Sequence, residues 1–61
     1  MDQKKFGEFV KKLREDKNLN QEQLGNEVHV HRTTVNKWEK GNALPLNDTL
    51  VLLSNFFDVS I

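Results

Sequence analysis

Residues 20–41 carry the sequence NQEQLGNEVHVHRTTVNKWEKG, which predicts two short helices joined by a tight turn. Asn20 is a good helix N-cap, and the glutamine three positions later completes a capping-box pattern at the start of a helix over about 21–28. A turn of two residues follows, and the next helix is predicted to run over about 31–40. Gly41 then suits the left-handed conformation that ends many helices. These signals place two helices almost end to end in the middle of the chain.

Two further amphipathic segments flank this pair of helices. Apolar residues at spacing i, i+3, i+4, i+7 predict an N-terminal helix over about 2–17. A loop over 42–45 leads to a fourth helix over about 48–57, with Asn47 as its expected cap, and 60–61 are a candidate start for a fifth helix. The apolar residues expected to face the core are Phe6, Phe9, Val10, Leu13, Leu24, Val28, Val35, Trp38, Leu50, Leu53 and Phe57, and the fourth helix also carries Val51. The sequence therefore predicts an all-α domain of four to five helices.

Length and composition exclude several classes of protein. A chain of 61 residues has room for one domain over 1–61 with a small core, and little room for a deep catalytic cleft. The absence of cysteine excludes disulfides and cysteine-based zinc sites, and it suits a reducing cytoplasm. No apolar run approaches the ~20 residues of a membrane span. No arrangement of catalytic side chains, glycine-rich phosphate loop or metal-ligand spacing is present, so neither an enzyme, a cofactor nor a small-molecule substrate is expected.

Charge is balanced over the whole chain but uneven along it. Nine basic residues stand against nine acidic ones, which argues against a nucleic-acid binder that relies on charge alone. Residues 30–43, however, hold Arg32, Lys37 and Lys40 against a single acidic residue, Glu39. The third predicted helix therefore lies in a locally positive segment of a neutral domain. Such a distribution favours recognition through direct contacts over general electrostatic attraction.

The polar face of the third helix indicates recognition of double-stranded DNA. Arg32 and Thr33 lie in its first turn, and Lys37 follows four residues after Thr33 on the same face. Arginine can bond two acceptors of guanine, asparagine can pair with adenine, and the threonine methyl group can contact that of thymine. A helix with these side chains can enter the major groove. The candidate base-reading residues are Arg32, Thr33, Asn36 and Lys37, and the candidate contacts to the DNA backbone are Asn20, Gln21, His31, Lys40 and Asn42.

The chain resembles the lambda-repressor/Cro-like helix-turn-helix family, also called the xenobiotic-response-element family. The resemblance rests on FGEFVKKLREDKNLNQEQLG at 6–25, VHRTTVNKWEKG at 30–41 and LPLNDTLVLLSNFFDVS at 44–60, and it covers about residues 4–60. It implies a compact DNA-binding domain, with its helix-turn-helix over about 20–41. It also implies a repressor or related transcription regulator that binds an inverted repeat as a homodimer.

The resemblance also implies roles for individual residues. Gln21 matches the first residue of the family's second helix, which contacts the DNA backbone and often supports a base contact. Arg32, Thr33 and Lys37 match the positions that most often read bases, and Asn36 and Lys40 flank them. Arg14 and Glu39 match a pair that forms a buried ion pair between the first and third helices.

The chain departs from the family pattern in three places. His29 stands in the turn where the family usually has glycine, so a positive φ there would strain it. Gly25 replaces the usual alanine, and we expect another helix to approach it closely. Relatives also continue beyond the position of Ile61 into a fifth helix, which suggests that the chain is a fragment of a longer protein.

Several residues allow two interpretations. His29 and His31 lack the i, i+4 spacing of a helical metal-binding pair, so a metal site is not expected. Trp38 is expected to pack in the core rather than contact DNA. Leu52 and Phe56 form a second apolar i, i+4 pair, rotated away from the inward face of the fourth helix. They form either a dimer interface or an extension of the core beneath the 44–46 loop.

An alternative function fits the same scaffold. A protein-interaction module, for instance an antitoxin-like partner or an adaptor within a larger protein, would not need a strongly basic surface. The balanced charge of the chain keeps this alternative open. Salt dependence separates the two functions, because a DNA reader loses affinity steeply as salt rises and an apolar protein interface does not.

Overall fold

Four α-helices and no strands form the chain, and the computed structural model describes every residue from Met1 to Ile61. The helices are α1 (Gln3–Asp16), α2 (Gln21–Glu27), α3 (Arg32–Glu39) and α4 (Asn47–Phe57). Helix α3 packs against both α1 and α2. None of the four is long and apolar enough to cross a membrane. The predicted all-α class is confirmed, with four helices.

Local sequence signals fix the first two helices. The Asp2 carboxylate accepts hydrogen bonds from the backbone N–H groups of Lys4 and Lys5, at 2.8 and 3.1 Å, and so begins α1. At the start of α2 the predicted capping box is confirmed. The Asn20 side chain accepts from the Gln23 N–H at 2.7 Å, and the Gln23 side chain accepts from the Asn20 N–H at 2.8 Å. The backbone N–H groups of Asn20 and Gln23 are thus each satisfied by the side chain of the other residue.

The turn between α2 and α3 is tight and holds an unusual conformation. His29 has a φ of 62°, in the left-handed region that glycine occupies more readily. The Val30 N–H donates back to the Gly25 carbonyl at 2.9 Å, which closes the turn. A Cβ atom at Gly25 would lie 2.5 Å from the Val30 carbonyl oxygen. The expected close approach at Gly25 is therefore made mainly by the backbone of the turn, and helix α3 takes part only through the nitrogen of its first residue, Arg32, at 3.5 Å.

Helix α4 begins one residue earlier than expected. Leu46 is its N-cap, with extended backbone and no side-chain cap, and the Leu50 N–H donates to the Leu46 carbonyl at 2.9 Å. Asn47 is already the first helical residue, so its predicted role as the cap is wrong. The helix ends at Phe57, and Asp58 turns the chain with a φ of 55°. Residues 60–61, the candidate start of a fifth helix, are not helical.

Eight apolar side chains form one buried core, to which every helix contributes. Trp38 lies at its centre, with its ring edge-on to Phe6 at a centroid distance of 6.5 Å. Its assignment to the core is confirmed. The buried residues are Phe6, Val10, Leu24, Val28, Val35, Trp38, Leu53 and Phe57.

Two apolar residues of the helices are exposed. Phe9 was expected in the core but is 41% exposed, so that prediction is wrong, and Val51, outside the inward stripe of α4, is 58% exposed. Phe9 lies at the edge of the α1 apolar stripe, in a shallow groove that Met1 and Ile61 also line. Val51 lies about 100° around α4 from Leu50, which packs against the core. On α1 and α4 the apolar surface is wider than the area that the neighbouring helices cover, so the residues at its margins stay exposed to water.

Candidate nucleic-acid interface

The first turn of α3 is ordered by the residue that precedes it. His31 is the N-cap, with extended backbone, and its Nδ1 atom accepts a hydrogen bond from the Thr33 N–H at 3.1 Å. The Thr34 N–H donates to the His31 carbonyl at 2.9 Å. Further along the helix, Val35 and Trp38 are buried against the core. These contacts fix which side of α3 faces outward.

Arg32, Thr33 and Lys37 are all exposed on the surface of α3. At about 100° per residue, Thr33 and Lys37 lie within about 40° of one another around the helix. Arg32 lies about 100° from Thr33, on the side next to α2, where its Nη1 atom is 3.9 Å from the Glu22 carboxylate. None of the three side chains points into the core. They form a polar edge that can contact an extended surface.

Asn36 differs from the other three candidate base-reading residues. It is half-buried, and its Nδ2 atom donates to the Gln21 side-chain oxygen at 3.3 Å. Gln21 in turn donates from Nε2 to the Glu39 carboxylate at 3.2 Å. Because one hydrogen of Asn36 is already used, only the remaining part of its carboxamide is free for a ligand. Asn36 and Gln21 thus belong to a network between α2 and α3.

The network ends at a buried ion pair between α1 and α3. Arg14 donates from Nε and Nη2 to the two oxygens of Glu39, at 2.7 and 2.9 Å, and from Nη1 to the Leu19 carbonyl at 2.7 Å. The two side chains are only 11% and 4% exposed. The hydrogen bonds to Glu39 raise the pKa of Arg14 above its ordinary value, although burial opposes them. The guanidinium therefore stays charged throughout the pH range in which proteins fold.

The candidate backbone-contacting residues lie at three places around the helix pair. Asn20, Gln21 and His31 lie at the starts of α2 and α3, and Lys40 and Asn42 follow the end of α3 and are exposed. Nine helical rises separate His31 from Lys40, a distance of about 13.5 Å. His31 and Lys40 therefore lie at opposite ends of α3, while Gln21 lies beside its second half, against Asn36 and Glu39. Asn20 already uses its side-chain oxygen in the capping box of α2.

The apolar pair on α4 is divided between surface and core. Leu52 is 37% exposed. Phe56 is half-buried, packs edge-on against Phe57 at 5.0 Å and lies beneath the Lys17 ammonium group, which is 5.1 Å from its ring centre. Phe56 packs against the core, as the second interpretation expected, whereas Leu52 is not among the residues packed against it.

The sequence did not point to Glu22 as a neighbour of Arg32. Their approach depends on the path of the turn between α2 and α3, which His29 takes with positive φ. The only sequence signal was the position of Glu22 in the first turn of α2, where an acidic residue is favoured by the helix dipole. That signal gives no information about a partner in the next helix.

Comparisons with known proteins match nearly the whole chain. The HTH-type transcriptional activator BcrR of Enterococcus faecalis is 45% identical over 56 residues, which is 92% of this chain and 28% of that protein. The cryptic phage CTXphi transcriptional repressor RstR of Vibrio cholerae is 34% identical over 92% of this chain and 50% of its own length. The uncharacterized HTH-type transcriptional regulator YqaE of Bacillus subtilis (strain 168) is 34% identical, with 48% of its length covered.

The chain thus spans half or less of the curated relatives that it matches. No solved structure matches it significantly. The family model described as Helix-turn-helix matches residues 10–61, which include α2, the turn and α3 as well as α4. With its four-helix, lambda-repressor-like architecture, the chain belongs to the helix-turn-helix family.

Proposed function

We propose that the chain is the DNA-binding domain of a transcription regulator and inserts α3 into the major groove of double-stranded DNA. One observation carries the proposal: Arg32, Thr33 and Lys37 are exposed together on a helix whose other side is held by the core. The Arg14–Glu39 ion pair fixes that helix to α1. The names of the relatives, an activator, a repressor and a regulator, support the same function.

Each exposed side chain has a defined part in this proposal. Arg32 bonds the two major-groove acceptors of guanine, while Thr33 and Lys37 contact the adjacent bases. Asn36 contributes through the part of its carboxamide that the bond to Gln21 leaves free. Phosphate contacts fix the position of α3 in the groove. They are assigned to Asn20, Gln21, His31, Lys40 and Asn42.

Arg32→Ala and Lys40→Ala should separate base reading from phosphate binding. We expect Arg32→Ala to lower affinity for the preferred site by about 2 kcal/mol, since one bidentate arginine contact is worth about 1–3 kcal/mol, and to relax selection at one base pair of each half-site. Lys40→Ala should weaken preferred and random duplexes alike and reduce the salt slope by about one. Titrations of selected and scrambled duplexes at several salt concentrations measure both. Equal losses on both duplexes for Arg32→Ala would contradict its assignment.

The same titrations test the alternative of a protein-interaction module. The observations that favour this alternative are the zero net charge and the exposed apolar side chains of Leu46 and Val51. A DNA reader that neutralises several phosphates loses affinity by orders of magnitude between about 50 and 200 mM salt. If wild type bound DNA only weakly and without this salt dependence, the alternative function would replace the proposed one.

The proposal also includes a homodimer on an inverted repeat. Two copies of α3 would lie about 34 Å apart, one turn of DNA, and would contact equivalent half-sites. We assign the contact between copies to the α4 surface that includes Leu52 and the exposed part of Phe56. The proposal includes repression, because a dimer bound at a promoter would block access of other proteins to the DNA beneath it.

Leu52→Lys tests the assigned dimer surface. We expect it to reduce the dimer fraction in sedimentation on operator DNA and to lower operator affinity by about tenfold, because a lysine would be buried against its symmetry mate. Val51→Lys is the matched control, since it places the same charge about 100° away on α4. Phe56 is left unchanged because it packs on Phe57. Dimer formation that survives Leu52→Lys, or that fails equally in both variants, would rule out this surface.

A further inference from the structure

The side chain of His31 and the first turn of α3 form a closed group of three polar atoms. The Nδ1 atom of His31 is 3.1 Å from the backbone nitrogen of Thr33 and 3.0 Å from its hydroxyl oxygen. Both residues are exposed on the proposed DNA-binding surface. The ring nitrogen and the hydroxyl oxygen can each either donate or accept a hydrogen bond, but the backbone nitrogen can only donate. The direction of every bond in the group follows from that difference.

The backbone N–H of Thr33 is the fixed member, because an amide N–H can only donate. At 3.1 Å from it, Nδ1 of His31 has to be the acceptor, so the neutral ring carries its hydrogen on Nε2. The Thr33 hydroxyl lies 3.0 Å from the same Nδ1. It therefore has to donate as well, since its lone pairs would otherwise face the lone pair of the ring. The two donors share the single lone pair of Nδ1.

This arrangement uses the single hydrogen-bond donor of the Thr33 hydroxyl. A free hydroxyl can donate to a base or accept from one. In Thr33 the hydrogen is directed at His31, and only the oxygen lone pairs remain for DNA. In the major groove the hydrogen-bond donors are the exocyclic amines of adenine and cytosine, whereas guanine and thymine offer acceptors.

We propose that His31 is a specificity-determining residue that makes Thr33 an acceptor, so that the domain selects adenine or cytosine at the base facing Thr33. The proposal rests on the proposed function, since it requires that Thr33 contact a base. His31 acts here through Thr33 and positions its hydroxyl hydrogen. His31 also has a second role, because its Nε2–H can donate a hydrogen bond to a phosphate oxygen.

Two near-isosteric replacements of His31 separate the roles of its ring nitrogens. His31→Asn puts an amide oxygen close to the position of Nδ1, where it caps α3 and accepts from Thr33. His31→Gln carries its amide near the position of Nε2 and leaves the Thr33 hydroxyl hydrogen free. Thr33→Val removes the hydroxyl and keeps the branched shape. Thermal melting of each variant establishes that it is folded before DNA is tested.

The experiment is selection of bound sites from random double-stranded DNA at about pH 8. The base position that Thr33 contacts is the one whose preference changes in Thr33→Val. We expect wild type and His31→Asn to prefer adenine or cytosine there by about three- to tenfold, the value of one hydrogen bond. Thr33→Val should lose the preference, and His31→Gln should also accept guanine or thymine. A wild-type preference for guanine or thymine at that position, or a His31→Asn preference unlike that of wild type, would overturn the proposal.

Nitrogen NMR of the His31 ring tests the same point without DNA. We expect a neutral ring with its hydrogen on Nε2, in wild type and in Thr33→Val, because the backbone N–H alone fixes this form. A hydrogen on Nδ1 would refute the inference and leave the proposed function intact. If wild type instead selected no DNA sequence, the proposed function and the base preference would both fail, whatever the ring showed.

Discussion

Glu39→Ala is expected to lower the free energy of unfolding by about 3–5 kcal/mol, the cost of breaking a buried ion pair by removing one partner. The substitution leaves the Arg14 guanidinium, which is 11% exposed, without the carboxylate that accepts two of its hydrogen bonds. It also removes the acceptor of the Gln21 side chain. For a 61-residue domain with eight buried apolar side chains, this loss is comparable with the whole stability of the fold.

Urea denaturation followed by the fluorescence of Trp38, which is the single tryptophan and lies in the core, measures this loss. Glu22→Ala is the matched control, because Glu22 also faces an arginine but is 65% exposed and 3.9 Å from it. Exposed pairs of this kind contribute little to stability. The control should unfold at a urea concentration close to that of wild type. A Glu39→Ala protein with the wild-type midpoint would show that the buried pair does not hold α1 to α3.

A double variant distinguishes the cost of a buried, unpaired charge from the cost of lost packing. Arg14→Met combined with Glu39→Leu removes both charges and keeps side chains of similar length. Replacement of a whole buried ion pair by apolar residues is often neutral or stabilising, so the double variant should be more stable than Glu39→Ala alone. If the double variant were equally unstable, the cost common to both proteins would lie in the lost hydrogen bond from Gln21 to Glu39.

The elements that the sequence predicted correctly depend on local interactions. The capping box of α2 involves residues three positions apart, and the buried apolar stripes of α2 and α3 follow the helical period. The wrong prediction of the α4 cap also came from considering local interactions alone. Asn47 is a favourable cap residue, but Leu46 takes that position with its backbone alone. A preference of about 1 kcal/mol for a cap residue is smaller than the packing that places the start of a helix.

The features that the sequence could not predict depend on contacts between distant segments. The exposure of Phe9 follows from which part of α1 the other helices cover. The bond from Asn36 to Gln21 and the approach of Glu22 to Arg32 both follow from the path of the turn at His29. Among the proposed site residues, exposure of the α3 edge followed from helical periodicity alone. The hydrogen-bond direction at Thr33 required coordinates.

Gly7→Ala is expected to destabilise the domain by about 3 kcal/mol, the upper part of the range for overpacking. Glycine inside a helix normally costs about 1 kcal/mol relative to alanine, so the usual effect of this substitution is stabilising. Here an added Cβ would lie 2.1 Å from the Trp38 carbonyl oxygen and 3.0 Å from that of Glu39. Both atoms belong to the backbone, which cannot rotate away as a side chain can. Helix α1 would have to move off α3, and the Arg14–Glu39 bonds would lengthen with it.

Urea denaturation measures this effect against Glu8→Ala, an exposed change at the next residue that alters helix propensity and no contact between helices. Glu8→Ala should stay close to wild type. Gly7 also approaches the backbone of Glu39 itself, so one displacement of α1 can break both contacts. The double variant Gly7→Ala/Glu39→Ala should therefore lose less stability than the sum of the losses in the two single variants. A Gly7→Ala protein more stable than wild type, as for an ordinary exposed glycine, would mean that α1 and α3 are not in backbone contact.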